Sequence, residues 1–435
     1  MGRNSLAQNY TGPTRARLIA TGHQSSTTSD ITSDMGDVHV SIQKDWAGDY
    51  DLFDSDYVGD PFTIWDELRG TCPVAHTERY GGSWLTTTYD DVTRVARDPE
   101  HFSSRNVGVI PPPDETEESL FPAGLPPIQS DPPVHTWTRR VLLPWFSNSR
   151  VDGYEPYTRA LCRELLDGFA DAGRADAAAD YAKQIPVRVI GKILGIPEDM
   201  SDTFIEWVRR VLEFANDGPR RTKAQIDSVT YFLGEMEARR SGDGTDLISE
   251  MLRTKVDGES IPDEFILGTV ALTLIAGLDT TWSALGSMLW HLASHPDDTR
   301  RLVEEPDLLP TAIEEMLRAY SPVTMARIVA EDIEVHGCPM KAGDRVILNF
   351  PAANRDPNAF PNADRVIIDR EINRHVAFGA GIHRCAGSNL ARMELTVAIE
   401  EWLARIPSFR LEEGGEVVWA AGQVRGPRHV PVVFP

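Results

Sequence analysis

Near the end of this 435-residue chain, Phe378-Gly379-Ala380-Gly381-Ile382-His383-Arg384-Cys385-Ala386-Gly387 sets one cysteine in a glycine-rich loop. Leu390, Met393 and Val397 then recur at helical spacing, so the loop runs straight into a helix. A cysteine at a helix N-terminus meets free backbone N–H groups and the positive end of the helix dipole, and both favour thiolate. Gly379, Gly381 and Gly387 lack Cβ atoms and let the backbone pass close to a flat ligand. This chemistry points to haem with Cys385 as its axial ligand; a buried cysteine beside a glycine turn is the other reading of the same residues. A dinucleotide-binding loop is excluded, because Gly-x-Gly-x-x-Gly would need glycine where Arg384 stands.

At every fixed position these ten residues resemble the cysteine-loop signature of the cytochrome P450 family, Phe-Gly-x-Gly-x-His/Arg-x-Cys-x-Gly. The resemblance runs from about Asp60 to the C-terminus. It implies a mainly α fold with small β-sheets, in which haem lies between a long central helix and the cysteine loop with its helix.

Length and composition set outer limits. A chain of 435 residues is long for one domain, although a large helical fold around a cofactor can absorb it. The net charge of −23 argues against nucleic acid or an anionic membrane as a general partner. Four cysteines without a Cys-x-x-Cys pair point to a reducing compartment; Cys162 reads as core, and Cys72 and Cys338 as turn residues beside prolines. The first fifty residues hold no apolar run of bilayer length and no secretion pattern, so a soluble, cytoplasmic protein is expected; a monomer is expected as well. Residues 1–45, with Ser25-Ser26-Thr27-Thr28-Ser29, read as a disordered segment, and 46–435 as a single haem domain.

Apolar spacing predicts helices over Phe62–Arg69, Asp91–Arg97, Val134–Phe146, Tyr154–Phe169 and Met200–Phe214. Strands are expected at Ser83–Thr88, Arg327–Val335 and Arg345–Phe350. Between Phe102 and Asp131 the prolines rule out one regular element, and the resemblance makes this the loop that covers the substrate. The longest helix runs from Ile261 to Ala293, with Ser260 as its expected N-cap, Pro262 in the first turn and Asp263 at capping-box spacing. Its length, on the order of 50 Å, crosses a whole domain. In its middle, Ala276-Gly277-Leu278-Asp279-Thr280-Thr281 interrupts the apolar pattern and should bend or widen the helix. An acid and an alcohol facing a metal-bound oxygen can deliver protons; a helix exposing Asp279 and the threonines to solvent is the alternative. The resemblance assigns this segment to oxygen activation, with Asp279 as the acid and Thr280 as the alcohol.

Glu315 and Arg318 stand three apart on one helix face and, taken alone, would be an ordinary surface pair. The resemblance makes them a Glu-x-x-Arg motif completed by a distant arginine after Asn354-Arg355-Asp356-Pro357, which maps to Arg365. Haem propionates call for cations. By resemblance these are His135 and Arg139 on one helix, with Arg327 and His383 on the other side. Phe378, Gly379, Gly387 and Ala276 complete the cofactor contacts. Leu272, Ile275, Ala276, Val323 and Thr324 are placed along an apolar substrate pocket for a small-to-medium hydrophobic molecule, and Arg105 is a solvent-facing residue or a carboxylate clamp.

The activity implied is a monooxygenase that uses haem b and O2, with NAD(P)H electrons arriving through a ferredoxin and ferredoxin reductase or a flavodoxin-type donor. No reductase domain is expected to be fused, because the chain ends soon after the helix following Cys385. Arg140 and Arg384 offer a basic patch for the donor on an otherwise acidic molecule, or are merely solvated charges. A thiolate-haem sensor or carrier without turnover is the rival from another class, and Asp279 with Thr280 discriminates against it, since a sensor needs no proton relay. A peroxide-driven hydroxylase is the narrower rival.

Overall fold

The computed structural model describes residues 44–111 and 120–435, so the expectation for the N-terminal segment lies almost wholly outside the described residues. From Lys44 onward the chain forms one compact unit. The helices that position the site are α1 (Pro61–Thr71), α2 (Tyr89–Arg97), α3 (Val134–Leu142), α4 (Glu155–Asp167), α5 (Gln184–Leu194), α6 (Ser201–Leu212), α7 (Gly218–Arg239), α8 (Asp263–Ser294), α9 (Leu309–Ala319) and α10 (Ser388–Arg405). The main sheet is built from β1 (Val74–Thr77), β2 (Ser83–Thr86), β3 (Phe102–Ser103), β4 (Met325–Val329) and β5 (Arg345–Leu348), in the order β1-β2-β5-β4-β3. Only β2 and β5 pair in parallel, Ser83 opposite Arg345. All four residues of β5 are buried, as befits a central strand covered on both faces.

α8 is apolar around most of its circumference, and a helix of that kind is stable only when enclosed. It has the length and composition to cross a bilayer, yet here α5, α6, α7 and α10 pack around it. Its start differs from expectation. Ser260 lies in a short strand pair with Lys255, and Pro262 takes the cap position in extended geometry with no side-chain cap. The helix also continues without a break through Gly277. That glycine answers to packing, since a methyl group there would collide with Ile190 on α5.

Other expectations shift at their edges. The 134–146 helix ends at Leu142 and tightens into a 3₁₀ turn over Leu143–Phe146, because Pro144 cannot supply the next N–H. The 327–335 strand divides into β4 and a separate hairpin strand, Ile333–Val335. Phe350 opens a short helix, Phe350–Ala353, capped by the Asn349 side chain. Cys162 is fully buried, and burial lifts its thiol to about 12. Cys72 caps the end of α1 and Cys338 opens a strand, both directing their thiols at the Val74 carbonyl.

Candidate functional site

The cysteine loop is fixed from outside before it reaches the thiol. Asn354 Oδ1 accepts the Val376 N–H at 2.7 Å, and its amide donates to Ser321. Gly379 then turns the chain at φ 70, and the Cys385 N–H donates to the Phe378 carbonyl at 2.8 Å. Gly381 also has positive φ, but its glycine requirement comes from the end of α2: a Cβ would strike the Ala96 carbonyl. α10 begins at Ser388, so Cys385 stands just ahead of its N-terminus. The thiol lies deep in the protein yet faces open space, because it lines a large cavity together with Phe378, Gly379 and Gly387. Burial raises its pKa, opposed by the Gly387 backbone N–H and by Arg139, Arg384 and Arg392.

Beneath this loop lies the ion network anticipated at Glu315, with one different member. Glu315 and Arg318 are both fully buried, and Arg318 donates to the carboxylate through Nε and Nη2 at 2.8 Å. The third side chain is Arg370, whose Nε also donates to Glu315 at 2.8 Å, and not Arg365. Arg365 is exposed and contributes only its backbone carbonyl, 2.7 Å from Arg318 Nη2. Ile367 N–H and the Asn373 amide fill the remaining lone pairs of Glu315. Sequence reading missed a second network beside it: Glu314 accepts from Arg392 at 2.6 and 2.8 Å and from His375 at 3.0 Å. Burial would raise the Glu314 pKa, but the Arg392 and His375 hydrogen bonds win and hold it at about 2.

On the cavity wall Arg139, Arg327 and His383 converge. Arg327 is 4% exposed, and its only side-chain hydrogen bond among the described residues goes to the adjacent Ala326 carbonyl. Burial lowers its pKa to about 10. His383 is pressed down to about 3 by burial and then by Arg327, His135 and Arg139, and its Nε2 is buried without a partner. His135 does not reach the cavity. It packs behind His383 with ring centroids 4.4 Å apart and planes tilted by 58°, and donates from Nε2 to the Ile382 carbonyl at 3.1 Å. A buried arginine with no carboxylate in hydrogen-bond reach among the described residues, a half-buried Arg139 and an unpartnered ring nitrogen on neutral His383 make a donor set for anions. Beside a cavity-facing thiol and glycine backbone, this donor set fits haem and its two propionates.

Opposite the loop, Leu272, Ile275, Ala276 and Thr280 of α8 line the cavity, as does Val323. Thr280 Oγ1 donates to the Ala276 carbonyl at 2.7 Å. Asp279 and Thr324 do not line it. Thr324 is buried, with its N–H donated to the Gln423 carbonyl, because the chain there pairs with the C-terminal segment. Asp279 is fully buried and turned toward Arg428, whose Nη2 donates to Oδ1 at 2.7 Å; Oδ2 has no partner. Burial lifts Asp279 to about 6, against the pull of Arg428. Arg428 in turn bonds Ser283 Oγ at 2.9 Å and Glu213, at the end of α6. No sequence signal marked this lone arginine near the C-terminus. The proline-rich segment supplies cavity wall at Val107–Ile110, Phe121, Leu125 and Pro127–Gln129. Arg105 takes no part; its side chain is 85% exposed and lies 3.7 Å from Asp131. Arg140 and Arg384 are exposed.

Residues 187–417 match the family model for cytochrome P450, and the chain belongs to that family. It is 33% identical to the mycinamicin IV hydroxylase/epoxidase of Micromonospora griseorubida over 85% of this chain and 94% of the relative. It is likewise 33% identical to a steroid C26-monooxygenase of Mycobacterium tuberculosis, over 89% of this chain and 98% of that enzyme. Among solved structures, CYP109E1 of Bacillus megaterium, determined in complex with testosterone, superposes with a TM-score of 0.81 at 30% identity, covering 87% of this chain and 99% of that one. The chain is therefore a monooxygenase whose cofactor is haem, using O2 and reducing equivalents from partner proteins.

Proposed function

We propose that Cys385 provides the axial thiolate, that Arg139, Arg327 and His383 hold the propionates with His135 bracing His383, and that electrons come from a separate ferredoxin and its reductase or a flavodoxin-type donor in the cytoplasm. The observation that carries this reading is the cavity-facing Cys385 thiol beside Arg327, to which no described carboxylate hydrogen-bonds, and the unpartnered Nε2 of His383. Bound haem supplies the activation of O2 and the transfer of one oxygen atom. The protein's own groups orient the substrate and move protons. Thr280 puts its hydroxyl in the cavity wall, and Asp279, with a pKa of about 6, takes and gives a proton at Oδ2 near neutral pH. Arg428 holds that carboxylate and links it to Glu213 and Arg209 toward the surface.

The substrate is a small-to-medium hydrophobic molecule, in keeping with apolar walls at Leu272, Ile275 and Val323 and with the steroid and mycinamicin named for the relatives. Arg140 and Arg384, exposed on the cysteine side, receive an acidic donor. Reduction of the purified protein under carbon monoxide tests the ligation. The intense band is expected far to the red, as for thiolate ligation, and lost in Cys385→Ser. A wild-type band at the position of imidazole-ligated pigments, or one that survives Cys385→Ser, overturns the assignment.

A further inference from the structure

Three glutamines line the cavity, and two are already engaged. Gln129 Oε1 accepts the Leu125 N–H at 2.9 Å. Gln423 Oε1 accepts the Val109 N–H at 3.2 Å, and its Nε2 donates to Met325 Sδ at 3.1 Å. Gln225, on α7, is different. It is 5% exposed, its Oε1 is buried without a partner, and no described residue hydrogen-bonds its amide. Ser228 lines the same wall but donates its hydroxyl to the Gln225 backbone carbonyl at 2.9 Å, so it does not answer the side chain. The cavity lining nearby in sequence is apolar at Trp207, Val208, Val211 and Leu212 of α6 and Phe232 of α7, with one cation, Arg221, one turn before Gln225.

Folded proteins pair nearly all buried polar atoms, with protein, water or ligand. An amide left open in the cavity wall is therefore paired by what the cavity takes up. A primary amide both donates and accepts and carries no charge, and an alcohol matches it in all three respects. Gln225 also enters from a different element than Cys385 and Thr280, which mark the oxidising end. We propose that Gln225 anchors a neutral hydroxyl group carried by the substrate away from the position oxidised, so that the substrate is a hydroxylated apolar molecule rather than a plain hydrocarbon. The inference rests on the haem-thiolate reading of the cavity and names the substrate class of that site.

Imidazoles bearing an N-alkyl tail test it without knowledge of the substrate, because the ring binds the iron and the tail measures the cavity. Holoenzyme is titrated with a ladder of tail lengths ending in methyl, hydroxyl or carboxylate, and Kd is read from the Soret red shift. At one length the hydroxyl tail is expected to bind at least as tightly as its methyl counterpart. In Gln225→Leu that hydroxyl-to-methyl ratio falls about tenfold, the worth of one buried hydrogen bond. In Gln225→Asn, whose side chain is one methylene shorter, the preferred hydroxyl tail becomes one carbon longer, a displacement that general loosening would not produce. The proposal is overturned if hydroxyl tails bind worse than methyl tails at every length, if carboxylate tails are preferred, or if Gln225→Leu keeps the hydroxyl advantage. Both variants must retain the wild-type reduced carbon monoxide band. A wild-type protein that shows no such band and no shift with unsubstituted imidazole overturns the haem reading itself, and the anchor with it.

Discussion

Replacing Arg370 by methionine tests whether Arg370, and not the Arg365 that the family resemblance implies, completes the Glu315 network. The Glu315 carboxylate, with no solvent exposure, receives Arg318 twice at 2.8 Å, Arg370 at 2.8 Å, the Ile367 N–H at 2.9 Å and Asn373 at 3.1 Å. Arg370→Met removes one charge-assisted bond and its donations to the Pro361 and Asn362 carbonyls, a loss of about 3 kcal/mol. Arg365→Met leaves the backbone carbonyl that Arg318 uses and should stay within about 0.5 kcal/mol of wild type. Glu315→Gln strands two buried guanidinium groups against a neutral amide, at a cost of about 3–5 kcal/mol. Urea unfolding of the holoprotein, followed by far-ultraviolet circular dichroism and by Soret absorbance, measures all three. Burial opposes ionisation of Glu315, but the bonds from Arg318, Ile367 and Arg370 prevail and hold its pKa below the ordinary 4.5. Its stabilising contribution is therefore full above pH 4.5 and fades as pH falls through the folded value, so the wild-type advantage over Glu315→Gln shrinks in acid. Equal losses for Arg365→Met and Arg370→Met would refute the placement of Arg370 in the network.

Arg428→Leu removes the counter-charge of Asp279, so the acid's pKa rises above about 6 and the corresponding limb of the kcat–pH profile moves alkaline, while Arg428→Lys moves it less; an unmoved limb in Arg428→Leu contradicts the pairing. Glu394 is fully buried, has no partner at Oε2, and is raised by burial from 4.5 to about 8. Because the folded state holds that proton and the unfolded state releases it, wild-type stability should decline as pH rises from 4.5 to about 8, by roughly 5 kcal/mol in all, and Glu394→Gln should flatten that slope in denaturant titrations. Gly277→Ala forces a methyl group into Ile190 and is expected to cost about 1–3 kcal/mol in thermal unfolding; the loss should shrink when Ile190→Val is added.

What was legible in the chain was local chemistry. Cys385 with its glycines, Thr280 bonding back one turn, and Arg318 three residues from Glu315 are short-range arrangements set by helical geometry and loop conformation. Partners contributed from far along the chain were not legible. Arg370 and Arg365 differ in whether a side chain or a carbonyl points inward, which depends on how residues 363–370 fold over α9. Asp279 was read as facing the cavity with Thr280, but neighbouring residues on a helix diverge by about 100°, and Arg428, 149 positions away, claims the acid. His135 was expected at the cofactor edge; Ile382 and His383 stand in its path. Ser260 carries a capping pattern that a short strand pair overrides, so α8 begins only after Pro262.

α8 also bears on how the polypeptide emerges from the ribosome. Its oily surface is complete at Ser294, but α10, which covers one side, starts only at Ser388, about 90 residues later. At roughly 5–20 residues per second, synthesis leaves that surface without its covering for about 5–20 s. During this interval the segment has the length and apolar composition of a membrane span, and its folding is complete only when the last ninth of the chain arrives.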